Sequence, residues 1–379
     1  MNKITMGTLD YDEKEEIAVL NAIRSKNLSA GPIIEEFENK MAQRMGKKYG
    51  ILVNSGQSAL DVALVLAKIK LDKNKLKVIV PSTTYASDLW SIINTGNEPI
   101  LCDINYNFVI DYNKATRYFD ICLPVDLCGY PATRFDNCFV VEDACEAVGN
   151  SLCNYGDIVC LSFYVSHIIT TGCGGMLCLD DEKLIEYARN YIAHGRTYGG
   201  DFTKFTDKWV NRFLFDKVGV SYRSTSLEAA LGLAQLEKLD KIIYKRKENA
   251  RYLKKCLDQC PDAQEYLEYP NDDYIEKCSF QFFPMSIKMN HIGLDRNVFL
   301  QYLFSKGIDS RVLLSLTNQP IVKDLYGDIE KDYPISEYYN RNGFIIGCHQ
   351  GLTKENLEYI VEVFNNYLLW GRNEKNRRY

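Results

Sequence analysis

A chain of 379 residues outgrows a single hydrophobic core, and its 46% hydrophobic content is ordinary for a globular protein, so two domains are the default expectation. Fifty acidic residues against 45 basic ones leave a net charge of −5, with no cationic surplus to neutralise phosphates, which argues against a nucleic-acid partner. No run of about 18 apolar residues is present to span a membrane, and the polar start MNKITMGTLDYDEKEE is unlike a secretory leader.

The 13 cysteines are an odd count without a CxxC pair. Cys102, Cys122, Cys138, Cys160 and Cys178 sit inside apolar runs, as small buried hydrophobes do. A reducing, cytoplasmic setting is expected rather than a disulfide scaffold.

In chain order, YDEKEEIAVLNAIRS and PIIEEFENKMAQRMG carry apolar residues at helical spacing. Pro32 suits the opening turn of the second and Gly46 its end. Seven β-branched runs follow before residue 182: YGILVNS, KVIVPS, EPILCDI, DICLPVDL, CFVVEDA, DIVCLSFY and GMLCLDD. Several are apolar on both faces, the mark of a strand covered by helices on both sides. They argue for one large, at least partly parallel α/β sheet. HGRTYGGDFTKFTD then reads as a mobile or binding loop, and TSLEAALGLAQLEKLDKIIYKRKENARYLKKCL as a long helical period. The rest mixes helix and strand signals. The expected division is a large domain over 1–245 and a smaller α+β domain over 246–379. The basic end GRNEKNRRY reads as a solvated tail.

In open α/β sheets, ligands gather at the carboxyl ends of the strands. After the first strand, NSGQSAL leads into a helix whose free N–H groups suit an anion such as phosphate; capping by Ser55 or Ser58 explains the same pattern. PSTTYAS puts Tyr85 at the next strand end, where a ring can stack on a planar ligand or simply stand half exposed. VVEDACEAVG places Asp143 at a buried strand end, where a carboxylate needs a partner. A protonated pyridine nitrogen, a salt bridge or a helix cap would each serve. Glu146, three residues on, lies on the same side if the chain turns helical. In SFYVSHIITTGCGG, Ser162 and His167 flank a strand end, and Gly172, Gly174 and Gly175 permit a tight turn. A lone histidine there is structural or catalytic.

Together and in this order, these segments resemble the nucleotide-sugar aminotransferase family (DegT/DnrJ/StrS type) of fold-type-I pyridoxal-phosphate enzymes. The resemblance runs from LSAGPIIEEFENKMAQRMGKKYGILVNSGQSAL through SYRSTSLEAALGLAQLEKL to IIGCHQGLTKENLEYIVEVF. It implies an aspartate-aminotransferase-like fold, with a seven-stranded, mostly parallel sheet in the large domain and a smaller C-terminal α+β domain. It also implies that Gly56, Gln57 and Ser162 hold the cofactor phosphate, that Tyr85 stacks on the ring and that Asp143 pairs with its nitrogen. Ser221 in VSYR matches a position where the family usually has an asparagine reaching the neighbouring subunit's phosphate, and a homodimer follows. The residue five after the phosphate-binding serine is the Schiff-base lysine in the aminotransferases; here it is His167.

One branch of the family shows that exchange, the 3-dehydratases that remove the C3 hydroxyl from 4-keto-6-deoxy nucleotide sugars. Glu146 in EDACEA, where aminotransferases have glutamine, points the same way, as does HQGLT near the end. So does SRVLLSLTNQP, with Arg311 and Asn318 as substrate-binding residues, although Ser315–Thr317 lacks that branch's Gly–Asn pair. Cys173 and Val165 depart from the family's usual acid and proline. The resemblance implies pyridoxal or pyridoxamine 5′-phosphate as cofactor, L-glutamate as amino donor and His167 as acid and base. A related dehydratase holds an iron–sulfur cluster through cysteines after its GR loop; Gly195 to Ser221 contains no cysteine, so no metal is expected and a GDP-linked sugar is favoured over a CDP-linked one. Two rivals stand beside this: an aminotransferase using another lysine, although none occurs between Lys114 and Lys183, and a cofactor-binding relic without turnover.

Overall fold

The computed structural model describes residues 3–196, 214–288, 294–313 and 315–377, without the side chains of 370–377. Most of the Gly-rich stretch expected as a mobile or binding loop lies outside the described residues.

All seven β-branched runs are strands: β1 (Tyr49–Val53), β2 (Lys77–Pro81), β3 (Glu98–Cys102), β4 (Ile121–Cys122), β5 (Phe139–Asp143), β6 (Ile158–Ser162) and β7 (Gly175–Leu179). They form one sheet in the order β1-β7-β6-β5-β4-β2-β3. Pairings among β3, β2, β4, β5 and β6 are parallel, and β7 runs antiparallel to both β6 and β1. Every residue of β6 and β7 is buried, as their continuous apolar runs require in the centre of a covered sheet.

Helices α1 (Glu13–Arg24) and α2 (Pro32–Arg44) precede the sheet, with Pro32 at the opening of α2 and Gly46 in the left-handed region at φ +66° just past its end. Helix α3 (Gly56–Leu71) covers one face. It is apolar almost all round, so Ala59, Leu60, Val62, Ala63, Leu64, Leu66 and Ala67 are all buried. On the other face Phe37, Met41 and Met45 pack with Leu161, Phe163 and Met176.

Helices α4 (Ala86–Asn94) and α5 (Glu182–Tyr191) follow β2 and β7. The segment expected as one long helical period is two helices, α6 (Ser226–Leu236) and α7 (Leu239–Asp258). The break falls where Lys238 turns its ammonium to Asp12 and Glu15, both at 2.8 Å, while Gln235 donates to Glu15 at 2.7 Å. Glu15 is wholly buried, so this anchoring to α1 wins over uninterrupted helix propensity.

A second sheet, of four antiparallel strands, is built from β8 (Leu267–Glu268), β9 (Phe283–Ile287), β10 (Ser310–Val312) and β11 (Gly343–Ile346), in the order β10-β11-β9-β8. Its core joins Phe283, Phe299, Phe344 and Phe364. Residue 245, the expected domain boundary, lies inside α7. The start of that helix, Leu239 and Ile242, packs in the large-sheet core, and Ala250, Leu253 and Leu257 pack in the second. We propose two lobes on this basis, joined by a helix rather than by a linker. All 13 cysteines are free thiols.

Candidate active site

The carboxyl ends of β1, β2, β5 and β6 open on one edge of the large sheet, and four chain segments converge there. After β1, Ser55 caps α3 by accepting from the Ser58 N–H at 3.1 Å. Helix geometry leaves the N–H groups of Gly56 and Gln57 without an intrahelical carbonyl. Gly56 is packed so closely that a Cβ would stand 2.8 Å from Ser162 Cβ and 3.1 Å from Cys145 Sγ. Gly175 presses equally hard from β7, where a Cβ would meet the Ser55 carbonyl oxygen at 2.2 Å. The helix start, Ser162 and the segment after β5 therefore meet at one point, with positive dipole and free donors turned to it.

Asp143 ends β5 and is 6% exposed. Its Oδ1 accepts the Cys145 N–H at 2.9 Å, and no lysine or arginine pairs with it among the described residues. Glu146 follows, its Oε2 accepting the Cys128 N–H at 2.6 Å. Burial, reinforced by the negative charge of Asp143, pushes the Glu146 carboxyl up to about 7, against the opposing Cys128 hydrogen bond.

His167 sits in the hairpin between β6 and β7. Phe163 N–H bonds Gly174 O at 3.0 Å, Thr171 N–H bonds Phe163 O at 2.9 Å and His167 N–H bonds Tyr164 O at 2.9 Å. Gly172 at φ +87° and Gly174 at φ +145° supply the left-handed turns that an L side chain resists. The imidazole Nδ1 is buried with no hydrogen-bond partner. Burial depresses the ring to about 4, with a smaller push from the Arg246 guanidinium, against the pull of Asp143 and the Cys145 backbone. The ring is therefore neutral at physiological pH.

Tyr85, at the N-cap of α4, is 67% exposed at the mouth of the β2 end. Ser221 lies on a segment paired beside β1, where Asn54 N–H bonds Tyr222 O at 2.9 Å; its hydroxyl accepts from Arg223 at 3.1 Å. Arg311 is exposed on β10, and Asn318 bonds Asn340 at 2.7 Å and Gln319 at 2.9 Å. Neither makes a hydrogen bond to the His167 cluster among the described residues.

Three residues enter the site that sequence reasoning passed over. Asp88 in α4 is fully buried and accepts from Thr84 Oγ1, and burial, with the charge of Asp143 second, raises its carboxyl. Gln281 donates its amide to Ser166 O, next to His167, and Arg246 is fully buried and donates to Phe280 O and Gln281 O at 2.9 and 3.1 Å. The only sequence signal was a carboxylate inside the apolar helical run ASDLWSII; the other two contacts join segments over 30 residues apart.

The site thus offers an anion cradle, a buried carboxylate awaiting a cation and a neutral base with an unclaimed nitrogen. The chain is 27% identical to the GDP-4-keto-6-deoxy-D-mannose 3-dehydratase of Escherichia coli O55:H7, covering 93% of this chain and 97% of that one. It is 28% identical to the GDP-perosamine synthase of Escherichia coli O157:H7, over 89% and 91% of the two chains. Among solved structures, the E. coli GDP-4-keto-6-deoxy-D-mannose 3-dehydratase with bound hydrated PLP superposes with a TM-score of 0.84 at 25% identity, covering 96% and 99%. Residues 10–365 match the model of one family, so the fold is that of the fold-type-I sugar aminotransferases and the chain belongs to the DegT/DnrJ/EryC1/StrS aminotransferase family.

Proposed function

We propose that this chain is a 3-dehydratase of a nucleotide-linked 4-keto-6-deoxy sugar, GDP-linked in preference. It would use pyridoxamine and pyridoxal 5′-phosphate as cofactor and L-glutamate as the donor that restores the amine form. That it is an enzyme of the cofactor-dependent, sugar-modifying family rests on the family match. The finer reading rests on one observation: the family's lysine position holds a neutral, half-buried histidine, and no lysine lies between Lys114 and Lys183.

The residues present fit the cofactor. Gly56 and Gln57 N–H with Ser162 Oγ would hold its phosphate in the space that any Cβ at Gly56 would take. Asp143 would pair with the ring nitrogen, Tyr85 would cover a ring face and Glu146 would lie beside Asp143. When bound, the group supplies an electron-accepting ring and, in its amine form, a nitrogen for the sugar's C4 carbonyl. His167 cannot form a stable imine with an aldehyde, so it would leave the cofactor untethered. Its unpartnered Nδ1 would take up a proton during the reaction, and the imidazolium so formed would give it to the departing C3 oxygen of the sugar. Ser221 would approach the neighbouring subunit of a homodimer, and Arg311 and Asn318 would contact the nucleotide sugar.

A second reading, transfer of an amine to the sugar, draws on the similarity to a GDP-perosamine synthase. Incubating the protein with pyridoxamine phosphate, L-glutamate and GDP-4-keto-6-deoxymannose, then weighing the sugar by mass spectrometry, separates the two. Loss of the C3 oxygen supports the dehydratase; gain of nitrogen refutes it.

A further inference from the structure

We propose that Cys138 and Cys122 form an oxidisable dithiol: Cys138 reacts first with a hydroperoxide, and Cys122 then closes a disulfide with it. Cys122 ends β4 and is fully buried. Across the parallel β4–β5 ladder it faces Val140, and Cys138, two residues before Val140, joins the same apolar cluster on that side of the sheet. The two Sγ atoms stand 2.8 Å apart, within sulfur hydrogen-bond reach and about 0.8 Å beyond covalent bonding distance. Other thiols turn to oxygen instead: Cys102 donates to Asp111 O, Cys278 to Cys128 O and Cys348 to Arg246 O.

Access to the two sulfurs differs. Cys122 is enclosed with Ile79, Ile100 and Val140, packed by the rings of Tyr112, Phe119 and Phe135, whereas Cys138 is half-buried. A hydroperoxide therefore reaches Cys138 before Cys122. The S–H that Cys122 donates holds the Cys138 thiol below its ordinary range and favours the thiolate, the nucleophilic form, while the Cys122 thiol is pushed far up in return.

The Cys138 thiolate attacks one peroxide oxygen, the O–O bond breaks, and the departing hydroxide takes a proton to become water. Cys122 then attacks the Cys138 sulfenic acid. An S–S bond forms, the S–O bond breaks, and the oxygen leaves as a second water carrying the Cys122 proton. Two thiols lose two electrons in all, and one hydrogen peroxide is reduced to two waters. Closure across so short a gap forestalls further oxidation of Cys138 to the irreversible sulfinic acid. The bond ties β4 to the start of β5, at the opposite end of that strand from Asp143, so it leaves the candidate active site as it is.

The test treats the unaltered full-length protein, freed of reductant, with a small excess of hydrogen peroxide. Remaining thiols are blocked with iodoacetamide, and unreduced peptides are mapped by mass spectrometry. The expected product is a linked Cys122–Cys138 peptide pair, lighter by two hydrogens than the separate thiol peptides and lost on reduction. Cys122→Ala removes the closing thiol, so Cys138 should stop at the sulfenic acid and take up dimedone at least tenfold more than in the unaltered protein. Three results overturn the proposal: Cys138 stays reduced while exposed Cys173 is oxidised, either cysteine links to a third, or Cys138 takes up as much dimedone with Cys122 present as without it. The peptide map of the unaltered protein decides even where the variant fails to fold.

Discussion

Burial keeps the His167 imidazole neutral down to about pH 4, so it meets neutral solution as a base rather than as a spent acid. Replacing it by asparagine should lower turnover of the sugar by about 10²–10⁴-fold. Pyridoxal phosphate affinity should stay within a few-fold, as titration of the cofactor absorbance checks. The acid limb of kcat/KM should fall near pH 4, well below an ordinary histidine at 6.5. Two groups shape stability against pH in opposite directions. His167 has a depressed value in the folded state, so the unfolded chain binds more protons between about 4 and 6.5, and stability rises with pH across that window. Glu146 is raised from 4.5 to about 7, so the folded chain binds more protons between those values and stability falls as pH rises through them. Glu146→Gln keeps the acceptor for Cys128 without the charge, and should stabilise the empty protein by about 2 kcal/mol at pH 8 and little at pH 5 in urea unfolding. The strand-end residues Asp143 and Ser162 were legible because they close apolar runs. Asp88, Arg246 and Gln281 were not, because what makes them matter is a neighbour far away in the chain.

Elements place these groups through close backbone contact. At the start of α3, Gly56→Ala would drive a methyl to 2.8 Å from Ser162 Cβ, displacing that serine from the proposed phosphate cradle. The expected outcome is at least a tenfold loss of pyridoxal phosphate affinity while circular dichroism stays native. At the α6–α7 break, Lys238→Met leaves Glu15 wholly buried beside acidic Asp12 without its cation. The cost should be about 3 kcal/mol in chemical denaturation, the scale for breaking a buried pair. Strands were legible as β-branched runs bounded by turns, and all seven formed. The break between α6 and α7 was hidden because every residue there favours helix; only the long-range demand of Glu15 interrupts it.

Over the whole molecule, two sheets with separate cores share α7, which takes apolar residues into both. Seven runs announce a sheet but carry no order, and β7 inserted antiparallel between β1 and β6 emerges only from the packing of complete strands. Helix α1 leaves Ile17, Leu20 and Ile23 half exposed along one side. The proposed function turns on a coenzyme that no side chain would tether. The most direct measurement is the intact mass of the protein after loading with pyridoxal phosphate and reduction with borohydride. An unchanged polypeptide mass is expected, since imidazole leaves nothing to reduce. A polypeptide heavier by one reduced coenzyme, linked to any lysine, would contradict the role given to His167.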